Sequence, residues 1–295
     1  MASIRRRVVN GRTYFYLQHS LRRGNHVEKR ERYLGPAIPS DIERVKREFM
    51  DGIYRELWFV DLESIKIGYA RKRKVLPPSA RDKETEAFAT TFTYNTNRIE
   101  GSRLTLRETA ALLERGIAPS SRPLSDIKEA EAHRDAFYEM LAYKRDVSMQ
   151  TVLYFHKRLF EGTKRDIAGR LREHQVGITG SRFLPPMPAE VYPLLVEFFK
   201  WYARSRGRLH PVELAGLVHL KLVTIHPFTD GNGRVSRLVM NLVLNRNGYP
   251  MLDIPYEKRG GYYRALERSQ VKEDDDIFLH WFFKRYIAGN KRYIG

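Results

Sequence analysis

His226-Pro-Phe-Thr-Asp230-Gly231-Asn232-Gly233-Arg234-Val-Ser-Arg237 is the stretch on which the reading of this chain turns. It lies between two helix-like runs. Before it, Leu214, Leu217, Val218, Leu222 and Ile225 fall at helical spacing, with Pro211 suited to a first turn. That helix should stop near His226, because a residue preceding proline is pushed out of αR. Asp-Gly-Asn-Gly then reads as a turn. A second helix is predicted from Gly233 to about Asn247, with Gly248 just past its end and Pro250 beyond. On it, Val235, Leu238, Val239 and Leu242 share one stripe, while Arg234, Arg237 and Asn241 share another that should present two guanidiniums.

A turn at a helix N-terminus suits phosphate chemistry. Unpaired N–H groups and the positive dipole end attract anions, and the glycines let the backbone come close. Arg234 and Arg237 can grip phosphate oxygens in bidentate fashion. Asp230 suits Mg²⁺, which takes one or two carboxylates plus phosphate oxygens. His226 can take a proton from an attacking hydroxyl at neutral pH. Phe228 reads as an apolar anchor for the loop. No Walker pattern and no H-E-x-x-H is present, and His219 reads as structural.

The string resembles the motif H-P-F-x-[DE]-G-N-G-R-x-x-R of the Fic (Fic/Doc) family and matches it at every fixed position. Thr96-Asn-Arg-Ile-Glu100-Gly101 resembles that family's inhibitory-helix motif [ST]-x-x-x-E-[GN], placed on the N-terminal side of the core. The resemblance spans about residues 79–288 and implies a mainly α fold: a Fic-type helical domain with a β-hairpin flap. It implies a protein adenylyltransferase that moves AMP from ATP to a Ser, Thr or Tyr hydroxyl of a protein, with Mg²⁺ on Asp230 and His226 as base. It also implies that Gly231, Asn232, Gly233, Arg234 and Arg237 hold ATP, and that Thr96, Glu100 and Gly101 form an inhibitory element whose glutamate pairs with Arg237. Around Val176–Phe183 the flap, with Ile178, Thr179 and Gly180, would line up a substrate backbone. Tyr262 and Tyr263 resemble the adenine-contact position, with Gln270 and Asn241 as further polar candidates. Removal of AMP, another nucleotide donor, self-modification and a homodimer stay open. The intact Gly231-Asn232-Gly233-Arg234 argues against the phosphorylating Doc branch.

The rest of the chain adds an unrelated module. Ile4–Val9, Thr13–Leu21 and Val27–Leu34 read as strands, joined by Asn10-Gly11 and by Arg23-Gly24-Asn25, so a small β-meander is expected over 1–38. Residues 3–35 carry nine Arg/Lys against two Glu, with Tyr14, Phe15, Tyr16 and Tyr33 interleaved. That pattern suits a nucleic-acid surface, and a nucleic-acid-associated regulator is the reading from a different class. A packing face for the small sheet accounts for the same aromatics. A net charge of +18 favours anionic partners in general.

A capping box at Ser40 and Glu43 predicts a helix from Asp41 to about Trp58, and the basic Lys72–Pro78 stretch reads as a linker. The expected organisation is a basic β module (1–38), helix and linker (39–78), a helical region carrying the inhibitory helix (79–101 within 79–146) and a catalytic core (147–288). A second capping box at Thr105 and Glu108 opens a helix that Gly116 closes. With no cysteine and no long apolar run, composition excludes disulfide and thiol chemistry and predicts a cytoplasmic protein without membrane spans.

Overall fold

Asn10 and Gly11 both take positive φ, 50° and 73°, the backbone that a two-residue type I′ hairpin turn requires. They join β1 (Ser3–Val9) to β2 (Arg12–Arg23), and β3 (His26–Gly35) completes an antiparallel sheet in the order β1-β2-β3. The computed structural model describes residues 2–23 and 26–294, so Gly24 and Asn25 of the second expected turn lie outside the described residues. The chain divides into two compact units, Met1–Glu63 and Ser64–Gly295.

In the first unit, the two faces of the sheet differ. Leu17 and Leu21 are buried on one face, and so are Val45, Ile53, Trp58 and Leu62 of the helix that follows. On that face Arg30 reaches Glu56 at 3.0 Å and Arg32 reaches Glu48 at 3.4 Å. This helix, α1, runs Ile42–Val75, 17 residues beyond the predicted end at Trp58. Its start also differs from expectation: the Asp41 carbonyl accepts from Val45, and Glu43 holds Lys46 at 2.7 Å.

The boundary between the units falls inside α1. Beyond it, Gly68 does not break the helix, because it serves a close approach: a Cβ there would lie 2.0 Å from the Tyr293 carbonyl oxygen. The expected linker shrinks to Leu76 and Pro77, fastened by Arg81 Nε donating to the Leu76 carbonyl at 2.9 Å.

The second unit holds α2 (Pro78–Ile99), α3 (Leu106–Arg115), α4 (Leu124–Ala142), α5 (Met149–Phe160), α6 (Pro188–Ser205), α7 (Pro211–Ile225), α8 (Asn232–Arg246), α9 (Arg259–Lys272) and α10 (Asp275–Asn290). The Thr105–Glu108 capping box is present, with Gly116 in αL as the C-cap. The antiparallel pair α7–α8 forms the centre. α8 packs against α2, α4, α5 and α7, while α7 also meets α6 and α10. Val235, Leu238, Val239, Met240, Leu242, Val243 and Leu244 are each at most 1% exposed. Burying a side chain of this kind contributes about 1.5–3 kcal/mol, which makes this pair the frame for whatever the intervening turn does. Arg234, Arg237 and Asn241 are buried as well. The stripe of α8 expected to present two guanidiniums is therefore internal, and its polar groups have protein partners. Among the described residues, no helix is long and apolar enough to cross a membrane.

Candidate active site

The turn between α7 and α8 is held open by its own side chains. His226 ends α7 in αL (φ 51°, ψ 58°), an uncommon state for a residue with a Cβ and one that clears Pro227. Asn232 Nδ2 donates to the Phe228 carbonyl at 2.8 Å and Asn232 Oδ1 accepts from the Phe228 N–H at 2.8 Å. The Asn232 amide thus braces the loop, leaving its backbone N–H for an anion. Phe228 is fully buried and stacks on His156 with ring centroids 3.7 Å apart. His156 accepts from the Gly169 N–H through Nδ1, so Nε2–H donates to the Asp230 carbonyl at 3.0 Å. Burial pushes His156 down to about 4, which keeps it neutral in this role.

His226 Nδ1 lies 3.2 Å from the Val223 carbonyl. Only an N–H can bond there, so the neutral ring leaves Nε2 as the nitrogen able to take a proton. Burial lowers the His226 pKa below the ordinary histidine value, against an opposing contribution from the Val223 bond.

Asp230 is held in a four-charge cluster. Lys164 Nζ lies 2.6 Å from its Oδ2, and Arg234 NH2 lies 3.0 Å from its Oδ1. Glu129 bonds both cations, with Lys164 at 3.0 Å. Burial works to raise the Asp230 pKa, but Arg234, Lys164 and the Gly231 N–H outweigh it and hold the group at about 2. Arg234 is 3% exposed, with its guanidinium 4.5 Å from the Phe160 ring centroid. Its side chain, expected at phosphate, is paired with Asp230 and Glu129.

The group fits Mg²⁺ in a limited sense. Among the described residues no cluster of three or more potential ligands exists, so Asp230 would be a single protein ligand completed by phosphate oxygens, as is common for Mg²⁺. Its ionised carboxylate already draws the Lys164 ammonium.

Arg237, 1% exposed, makes a different set of contacts. NH2 donates to Glu100 Oε1 at 2.5 Å and to the Thr96 carbonyl at 3.3 Å. NH1 donates to the Tyr262 hydroxyl at 3.3 Å, which in turn lies 2.8 Å from His219 Nε2. Glu100 is the C-cap of α2, followed by Gly101 at φ 102°. Its carboxylate lies against the anion turn, where a Cβ on Gly233 would sit 2.3 Å from Glu100 Oε1. Tyr263 donates to the Ile99 carbonyl at 2.8 Å, and Asn95 bonds Asp253 at 2.6 Å and the Tyr256 N–H at 2.9 Å. The end of α2 is fastened from three sides.

A pocket of about 260 Å³ gathers Glu100, Ile178, Thr179, Gly180, His226, Gly233, Arg237, Tyr262, Tyr263 and Gln270. Asp230, Asn232 and Arg234 do not line it, and Gly231 lies against Phe160, where a Cβ would come within 2.3 Å. Of the two tyrosines expected at adenine, Tyr262 is 1% exposed with its hydroxyl engaged, and Tyr263 offers the accessible ring at 45%. Gln270 donates to Thr224 at 3.2 Å, while Asn241 bonds both backbone groups of Leu252 and stays out of the pocket.

The expected flap hairpin is an extended loop with no strand ladder over 176–187 and a turn where Ser181 N donates to the Ile178 carbonyl at 3.0 Å. Pro185 and Pro186 lack donors, so side chains join the arms instead: Gln175 reaches the Pro185 carbonyl at 2.9 Å and Arg172 the Pro186 carbonyl at 2.5 Å. Arg172 also donates to the His226 carbonyl at 2.8 Å, tying the flap to the motif. Sequence reasoning missed Arg172, Lys164, His156 and Glu129, since each meets the motif only through tertiary contact.

Residues 146–244 match the Fic/DOC family model. The chain carries a Fic domain. Over 210 residues it is 34% identical to protein adenylyltransferase fic-1 of Caenorhabditis elegans, covering 69% of this chain and 41% of that protein. Protein adenylyltransferase Fic of Drosophila melanogaster is 35% identical over 199 residues, covering 66% and 39%. The chain thus spans about two fifths of the length of these curated relatives. The solved structure of C. elegans Fic-1 (residues 134–508) superposes with a TM-score of 0.74 at 26% identity, covering 87% of this chain and 77% of that one. A Fic domain-containing signalling protein from Bacteroides thetaiotaomicron gives 0.72 at 26%, covering 79% and 95%. The mainly helical Fic fold read from the sequence is the fold observed, with the small sheet ahead of it.

Proposed function

We propose that this chain is a protein adenylyltransferase held in check by Glu100. A Ser, Thr or Tyr hydroxyl oxygen of a protein attacks the α-phosphorus of ATP. The new bond is O–Pα, the bond from Pα to the bridging oxygen breaks, and pyrophosphate leaves. The hydroxyl proton passes to His226 Nε2, the nitrogen left free by the Val223 contact. N–H groups of the 231–233 turn face the phosphate charge that builds up at the start of α8. Arg237 holds the far end of the triphosphate once Glu100 releases it. Mg²⁺, when bound on Asp230, neutralises phosphate charge. The loop 176–187, with few backbone bonds of its own, offers an edge for a substrate backbone.

The observation that carries this reading is the juxtaposition of His226, Gly233 and Arg237 around one pocket, with the Glu100 carboxylate on the guanidinium. Intact-mass spectrometry after incubation with ATP and Mg²⁺ tests it. Gain of one AMP on the protein itself or on an added protein supports transfer, and no gain in any variant with Glu100 removed rejects it. A second reading, removal of AMP by a water that Glu100 positions, draws on Glu100 lining the same pocket as His226. Glu100→Gly would abolish that activity rather than raise it.

A further inference from the structure

Strand register separates the aromatic residues of the N-terminal sheet into two sets. Arg5 pairs with Tyr16 and Tyr16 with Tyr33, while Arg7 pairs with Tyr14. Directly paired residues share a face of a sheet, and residues alternate along each strand. Tyr14, Tyr16 and Tyr33 therefore share a face with Arg5, Arg7 and Lys29. Phe15, Leu17 and Leu21 lie on the opposite face, whose Arg30 and Arg32 reach α1. Phe15 thus lies on the face that α1 meets and the tyrosines on the other.

The tyrosines form a connected platform. Tyr16 and Tyr33 centroids are 5.2 Å apart, Tyr14 and Tyr33 are 6.1 Å apart, and Tyr33 is 54% exposed. The Arg7 guanidinium lies 4.7 Å from the Tyr16 centroid. Arg5, Arg7 and Lys29 are exposed around the rings. The acid on this face, Glu31, is bonded by Arg7 at 2.5 Å and by Gln18 at 2.9 Å, so its charge is locally compensated.

We propose that this exposed tyrosine–arginine face binds single-stranded nucleic acid. Aromatic rings flanked by cations on an open sheet match the two needs of such a ligand, base stacking and backbone neutralisation. Arg5, Arg7 and Lys29 on this face supply the charge complementarity. Stacking on a ring requires a base face that a duplex keeps inside its own stack, so unpaired bases are the ligand expected here. The site is independent of the transferase reading.

Fluorescence anisotropy of the full chain with a labelled oligothymidylate of about 12 nucleotides tests the proposal. Binding is expected, with log affinity falling linearly as log salt rises. Tyr33→Ala should weaken it at least about fivefold, and Tyr33→Phe should restore it. Reversing Arg5 and Lys29 to Glu together should flatten the salt slope. Circular dichroism and melting of each variant guard against unfolding. Three results would each overturn the proposal: no binding at low salt, wild-type binding by a folded Tyr33→Ala, or a matched duplex bound as tightly as the single strand.

Discussion

His226 meets two demands at one residue. Its backbone must leave the helix ahead of Pro227, and its ring must keep one nitrogen tied so that the other is a defined proton acceptor. Because burial lowers its pKa, the neutral, accepting form persists below the ordinary histidine value. The acid limb of the pH–rate profile for self-labelling should therefore have its midpoint below 6.5, the value expected of an unperturbed imidazole. His226→Ala should lose about 10²–10⁴ in rate while retaining ATP, read by labelling and by calorimetric binding. Gly231 is constrained twice, by φ 81° and by Phe160. Gly231→Ala should lower the melting temperature, and it should depress labelling further than stability alone explains because the anion turn shifts. Labelling and melting equal to wild type would show that the turn tolerates a side chain.

At the scale of elements, the helices around the motif were legible because their signals are local: apolar spacing, a proline stop and glycine after the end. The buried face of α8 was not legible. Arg234 and Arg237 follow a polar stripe in sequence, and their burial depends on Glu129 from α4 and Glu100 from α2, which no local rule brings together. The length of α1 was not legible either: it runs on past Trp58 to Val75, and its Gly68 answers a close contact with the Tyr293 carbonyl that no local rule shows. The flap failed as a hairpin because two prolines deny the ladder its donors. The anchoring of α2 carries a prediction of its own. Asn95→Ala leaves the Tyr256 N–H and the Asp253 carboxylate without that partner, at a cost of about 1–3 kcal/mol. The variant should melt at lower temperature yet label faster than wild type, because Glu100 is held less firmly. A slower rate would show that α2 supports the site rather than restraining it.

Across the whole molecule, every residue assigned to transfer lies within Ser64–Gly295, and the small sheet belongs to the other unit. Deleting residues 1–35 should leave self-labelling measurable. It should also promote association seen by sedimentation, because Val45, Ile53 and Trp58 of α1 lose cover. Loss of labelling in a monomeric variant with normal circular dichroism would give the sheet a part in catalysis.

The central claim is that Glu100 occupies the guanidinium that ATP needs. It is tested most directly by self-labelling with α-labelled ATP in wild type, Glu100→Gly and Glu100→Gly with Arg237→Ala. A charge-assisted bond is worth about 1.5–3 kcal/mol, so Glu100→Gly should label roughly ten- to a hundredfold faster, and the double variant should lose that gain. Equal labelling of wild type and Glu100→Gly would contradict the account and leave Thr96–Gly101 as an ordinary helix end.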